Sequence, residues 1–215
     1  MSVAMILLIG MTYSVWARPI DPFGGNTVDV PEGPLVETWY NVYEELGGDH
    51  ALLGACVGST WIGCGPSHTL SEIVAEARSQ EGLAVIGHLN RTINLSITPF
   101  EPSEWLTALD AINSEGDCKA YATAKYFALI EVGIAADRVR LVIVRERNHP
   151  ETHIVVAVFQ NNGWLILDNL TMALVLDADE SQYTPLFVLD DRGVRQFQIQ
   201  QDHSRFAAGG TTLAP

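Results

Sequence analysis

The sequence predicts an α+β domain, and three observations predict it. Helical periodicities gather in the first half of the chain. One strong helical pattern follows over 118–132, and after it come β-type segments joined by short polar turns. Helices and strands do not alternate, so a parallel βαβ layout is excluded and an antiparallel sheet packed on a central helix is expected.

The elements follow in chain order. Residues 18–35 are rich in Pro, Gly and Asp and read as irregular. A helix is expected over 36–46, stopped by Gly47-Gly48. Thr69-Leu70-Ser71-Glu72 opens a second helix reaching about Ala84, with Ile73, Val74 and Ala77 at helical spacing. Residues 89–97 fit either a shorter helix or an extended piece. The helix over 118–132 is closed by Gly133, and Tyr121, Ala124, Ala128 and Val132 form one core-facing stripe. Strands are expected over 139–145, 153–159, 164–168, 185–189 and 194–199. Asn161-Asn162-Gly163 and Asp190-Asp191-Arg192-Gly193 are hairpin turns.

The chain has 215 residues, enough for one domain with a core of its own. That domain is placed at 36–200, with a flexible tail over 201–215. A formal charge of −14 repels phosphate backbones, so nucleic acid is not an expected partner. Residues 1–17 hold an apolar run from Val3 to Gly10, then Val15 and Ala17 two apart, as before a cleaved bond. They read as a secretory signal removed after Ala17, which puts the mature chain in the periplasm or outside the cell.

Export gives meaning to the three cysteines. Cys56 and Cys64 lie close together in a Gly-rich stretch and suit either a small-loop disulfide or two buried thiols. With His50 and His68 they match no common zinc spacing, so no metal site is assigned there. Cys118 is the odd thiol. Its place at the start of a helix matters, because helix N–H groups stabilise a thiolate, lowering a pKa of ~8.5 into the range of about 3.5–7.5. The same N–H groups can donate to an oxyanion.

A thiolate needs a base that later serves as an acid. His153 begins a strongly apolar strand, where a polar residue is unexpected. Pairing about Asn161-Asn162 brings it near Asp168, at the end of the next strand, within about 5 Å at Cβ for true cross-strand neighbours. A carboxylate there can hold one ring nitrogen and turn the other toward the thiol. Cys118, His153 and Asp168 are therefore the candidate nucleophile, base and orienting acid. His149, in a loop before Pro150, is the rival base. Trp105 is a candidate for lining the substrate groove or donating its indole N–H.

Gly116-Asp117-Cys118-Lys119-Ala120-Tyr121-Ala122, with Ala124-Lys125-Tyr126 after it, resembles the Cys motif of the bacterial transglutaminase-like cysteine peptidases. His153-Ile154-Val155-Val156-Ala157 and Leu165-Ile166-Leu167-Asp168-Asn169-Leu170 are similar to that family's later motifs, in the same order. The resemblance covers about residues 39–197 and implies a papain-like, transglutaminase-like core with Cys118, His153 and Asp168 in the roles given above. It further implies a protein or peptide substrate: the best-known members are periplasmic proteases that release surface adhesins, need calcium, and answer to a membrane-bound regulator. The family commonly has Asp-Cys-Glu-Asp-Tyr, whereas Lys119 and Ala120 stand here in place of two carboxylates. Calcium takes six to eight oxygen ligands, so no cofactor is expected. The rival readings are a non-proteolytic acyltransferase or amidase using the same residues, and a catalytically silent binding module.

Overall fold

The computed structural model describes residues 18–56, 64–100, 104–147 and 151–198. The expected signal over 1–17, the tail over 201–215 and His149 lie outside them.

The first long helix, α1 (Pro34–Cys56), does not stop at Gly47-Gly48. Its buried residues Trp39, Val42, Leu46, Asp49, Leu53 and Cys56 recur at alternating steps of three and four, on both sides of the glycines. Each glycine costs about 1 kcal/mol against alanine. Burying Leu53 returns roughly 1.5–3 kcal/mol, and Asp49 Oδ2 accepts the Leu109 N–H at 3.0 Å. Tertiary contact thus carries the helix through a local stop signal.

The second helix, α2 (Gly65–Arg78), is shorter than expected, and the chain breaks at Gly82, whose φ is +58°. The ambiguous segment is helical and longer than expected: α3 runs Leu83–Ser96 and buries Ile86, Leu89, Asn90 and Ile93. A Cys56–Cys64 disulfide links the end of α1 to the start of α2. The short α4 (Ala108–Ala111) is capped by Thr107.

The central helix is α5 (Cys118–Glu131). Its end is a Schellman motif: Gly133, at φ +105°, donates to Ile130 O at 2.9 Å, and Ile134 donates to Leu129 O at 3.0 Å. The expected one-sided stripe is replaced by burial on every face from Ala120 to Leu129. Helices α3 and α4 pack on α5 along with the sheet, and alanines at 120, 122, 124 and 128 permit the close approach.

The strands are β1 (Thr27–Asp29), β2 (Thr98–Pro99), β3 (Glu115–Gly116), β4 (Val139–Glu146), β5 (Thr152–Gln160), β6 (Gly163–Leu167), β7 (Val175–Leu176), β8 (Tyr183–Asp190) and β9 (Gly193–Phe197). Among the described residues they form a sheet ordered β1-β9-β8-β4-β5-β6-β7, antiparallel throughout, with β2 and β3 paired separately beside the start of α5. The stretch expected to be irregular before residue 36 supplies β1, which adds to β9 at the sheet edge. Gln160 pairs with Gly163 around Asn161 (φ 51°) and Asn162 (φ 64°), the doubly positive turn that suits a tight hairpin.

Candidate active site

Cys118 opens α5, and the chain reaches it through a tight approach. A Cβ on Gly116 would lie 2.4 Å from the Ala120 Cβ, so a larger residue would displace the first helical turn. Asp117 caps that turn, its Oδ1 accepting the Lys119 N–H at 3.0 Å. Its Oδ2 pairs with the Lys119 ammonium. Cys118 is a free thiol, half-buried, in a depression also lined by Phe100, Glu146, Glu151, Thr152 and His153.

His153 is the second residue of β5, and its side chain is 9% exposed. Its Nε2 lies 2.9 Å from Asp168 Oδ1, and the Cys118 thiol interacts with the same ring. With Nε2 held by the carboxylate, Nδ1 is the ring nitrogen left over, and the ring and the thiol line the same depression. The hairpin delivers this contact on a diagonal. Val156 pairs with Leu167, which carries Val155 opposite Asp168 and sets His153 two residues farther along. A long ring spans such a diagonal readily. Burial pulls the imidazole pKa down, but the interactions with Asp168 and Cys118 outweigh it and raise it to about 9.

Asp168 follows directly after β6 and is itself buried. Its Oδ1 also accepts the Leu170 N–H at 3.0 Å, and its Oδ2 accepts the Tyr183 hydroxyl at 2.5 Å. Burial raises its pKa, and the contacts, the His153 bond foremost, bring it below the usual carboxylate value. Helix α3 fixes the loop that follows: Asn94 Nδ2 donates to the Asp168 carbonyl at 2.9 Å and to Thr171 O at 3.2 Å, and Asn90 Nδ2 donates to Thr171 O at 3.4 Å.

Two site-adjacent residues escaped the sequence reading. Tyr183, the first residue of β8, bonds Asp168 and lays its ring against His153, centroids 5.8 Å apart. Lys125, two helical turns beyond Cys118, is 1% exposed. Burial lowers its ammonium pKa to about 7 against the opposing pull of Asp168. A lysine amid Ala124 and Tyr126 in an otherwise apolar run was the available signal for it. Tyr183 offered none.

The remaining candidates fall elsewhere. The Trp105 indole N–H donates to Thr123 Oγ1 at 2.8 Å, so it is occupied within the protein, while the side chain lines a second depression with Cys118, Lys119 and Glu151. His50 Nδ1 meets Glu131 Oε1 at 2.6 Å, and Cys56 and Cys64 are spent on each other. Nothing in that arrangement holds zinc among the described residues.

The architecture has solved counterparts. LapG from Legionella pneumophila, in a calcium-bound structure, superposes with a TM-score of 0.59 at 16% identity, covering 69% of this chain and 87% of that one. An EGTA-treated LapG structure gives 0.58 at 16% identity, covering 69% of this chain and 84% of that one. A comparison with curated proteins returns no match. A family model described as bacterial transglutaminase-like cysteine proteinase, BTLCP, matches residues 63–196. The match takes in α5, β5, β6 and β8, and with them every residue that meets at the thiol; the chain belongs to the bacterial transglutaminase-like cysteine proteinases.

Proposed function

We propose that this chain is an exported cysteine peptidase that cleaves a peptide bond in another exported or surface protein. In this reading Cys118 is the nucleophile, His153 the base and then the acid, and Asp168 the orienting carboxylate. The observation that carries it is the single ring of His153, bonded at Nε2 to Asp168 and lining the same depression as the thiol at the start of α5. An imidazole that keeps its proton to about pH 9 is a suitable counter-ion for a thiolate at neutral pH.

The chemistry runs in two halves. The thiolate attacks the carbonyl carbon; a C–S bond forms, and the C=O π electrons move onto oxygen, stabilised by first-turn N–H groups of α5 that the Asp117 cap leaves over. Collapse breaks the C–N bond, and the departing amine takes the proton from His153. Water then gives its proton to the neutral imidazole and attacks the thioacyl carbon, and the thiolate leaves again. Asp168 holds the ring throughout and does not itself take the proton. Trp105 would receive a substrate side chain on the Lys119 side of the thiol.

Export is supported by the Cys56–Cys64 disulfide, a bond that persists outside the reducing cytosol. A calcium requirement is not part of the reading. Asp117 already spends one oxygen on the Lys119 N–H and the other on the Lys119 ammonium, and Ala120 is fully buried and brings no oxygen. Among the described residues, no three His, Cys, Asp or Glu side chains converge as metal ligands. On these observations the reading leaves calcium out. A membrane-bound regulator rests on the family resemblance alone.

The test is product analysis. A mixture of exported proteins is incubated with the parent and with Cys118→Ala, and new amino termini are sequenced. Termini produced only by the parent support hydrolysis. Incorporation of an added amine without new termini turns the assignment to acyl transfer, and no product from either protein favours the binding module.

A further inference from the structure

The carboxylate at the heart of the site is held from a strand that none of the sequence motifs reaches. Strand β8 neighbours β4, and β4 neighbours β5, so Tyr183 approaches His153 from across an intervening strand. A strand's side chains alternate between faces, and Phe187 and Leu189 of β8 pack on the α5 side, whereas Val188 packs on the other. Strict alternation would put Tyr183 with Phe187 and Leu189. It does not lie there. Ile143 pairs with Phe187 but Val144 pairs with Pro185, which leaves Leu186 as an extra residue. This bulge shifts the alternation by one, and Tyr183 joins Val144, Val155 and Val188 on the opposite face. The placement is suited to a proline, since Pro185 has no N–H to lose from the ladder.

From that position the hydroxyl donates to Asp168 Oδ2 and the ring lies at 41° to the imidazole, 5.8 Å from it. The two carboxylate oxygens are thereby divided: Oδ2 belongs to Tyr183, and Oδ1 is turned toward His153 Nε2 and the Leu170 N–H. We propose that Tyr183, aimed by the β8 bulge, is a positioning residue that fixes the rotation of Asp168 and, through it, the ring of His153. This rests on the peptidase reading given above, in which His153 serves Cys118.

Tyr183→Phe tests it, because the ring and its packing remain and only the donor is removed. The readouts are the imidazole NMR titration of His153 and the pH profile of Cys118 alkylation by iodoacetamide. Without the anchor the carboxylate turns, the Nε2 bond weakens, and the His153 midpoint falls from about 9 toward its ordinary value. The alkylation rate at neutral pH falls roughly tenfold, the scale of an outer-shell partner. Tyr126→Phe removes another buried hydroxyl, one with no hydrogen-bond partner among the described residues, and is expected to leave the His153 midpoint where it was.

An unchanged midpoint and rate in Tyr183→Phe overturn the proposal. So does a rise in the midpoint, which would mean that the hydroxyl merely screens the carboxylate charge. A fall of the same size in Tyr126→Phe also overturns it, since loosening of the fold would then be the cause. These failures leave the peptidase reading standing if the parent thiol still depends on His153. A parent thiol indifferent to His153→Ala removes both.

Discussion

Strand β8 ends in a buried ionic cluster at each terminus, and the two clusters are built for different ends. At the Asp190 terminus, Arg195 and Arg140 meet Asp190 at 2.7 and 2.9 Å, and Arg195 meets Asp21 at 2.9 Å. Arg192 adds a third guanidinium at 3.3 Å from Asp21. Every cation there is an arginine, which keeps its charge at any physiological pH. Thr27 Oγ1 also donates to Asp21, so the cluster ties the N-terminal segment to the far strand. At the Tyr183 terminus a single carboxylate serves a histidine, whose proton can leave, and beyond it lies a thiol in an open depression. Burial and pairing are common to both. A titratable partner and a thiol in an open depression belong to one, and those two properties separate a reactive cluster from a clamp.

The largest contrast is expected from removing one carboxylate charge at each terminus. Asp168→Asn leaves His153 without its charged acceptor, and the rate of Cys118 alkylation at neutral pH should fall by roughly tenfold to thirtyfold as the thiol returns toward a pKa of ~8.5. The melting temperature should move far less than the rate. A variant as reactive as the parent would place Asp168 outside the reactive cluster. Asp190→Asn should do the reverse. It leaves Arg140 and Arg195 with Asp21 as their remaining carboxylate, at a cost of roughly 3–5 kcal/mol in urea unfolding, while the folded fraction keeps the parent's pH profile of alkylation. Loss of thiol reactivity in molecules that remain folded would dissolve the distinction between the two clusters.

A smaller effect sharpens the comparison from inside the site. Lys125 is a buried cation with its pKa lowered to about 7, the opposite of His153 at about 9. Its folded value lies below the unfolded one, so between about 7 and the ordinary 10.5 the unfolded chain holds more protons. The buried ammonium therefore costs stability fully below pH 7, and that cost fades as pH rises toward 10. Lys125→Met should stabilise the fold by roughly 1–4 kcal/mol at pH 6, with the gain shrinking by pH 10. His153 has the contrary sign: its contribution is complete below pH 6.5 and is lost as pH rises through 9. A Lys125→Met gain that stays flat from pH 6 to 10 would show that the ammonium is better solvated than its burial indicates.

The half of the site that local rules govern was legible in the sequence. Asn161 and Asn162 take the positive φ values that a tight hairpin needs, and this alone brings His153 and Asp168 to the same end of two paired strands. Gly133 closes α5 as a helix-stop glycine should, and Cys118 starts it. What was not legible depends on partners distant in the chain. Gly47-Gly48 look like a stop, yet α1 continues because Asp49 and Leu53 find buried places on the far side. The three residues of β1 carry no pattern of their own and exist as a strand because β9 is there to pair with. Tyr183 was hidden by the bulge at Leu186, since an alternation read straight through β8 assigns it to the wrong face.

The most direct measurement is the pH dependence of Cys118 alkylation in the chain from Arg18 onward, set beside His153→Ala. A thiolate–imidazolium pair predicts that the parent reacts well below pH 8 and that His153→Ala loses this reaction or shifts it to the range of an ordinary thiol near ~8.5. Two superimposable profiles, both those of an ordinary thiol, would contradict the account: the ring that joins Cys118 to Asp168 would then be a structural bridge, and the site would hold a partner rather than cleave one.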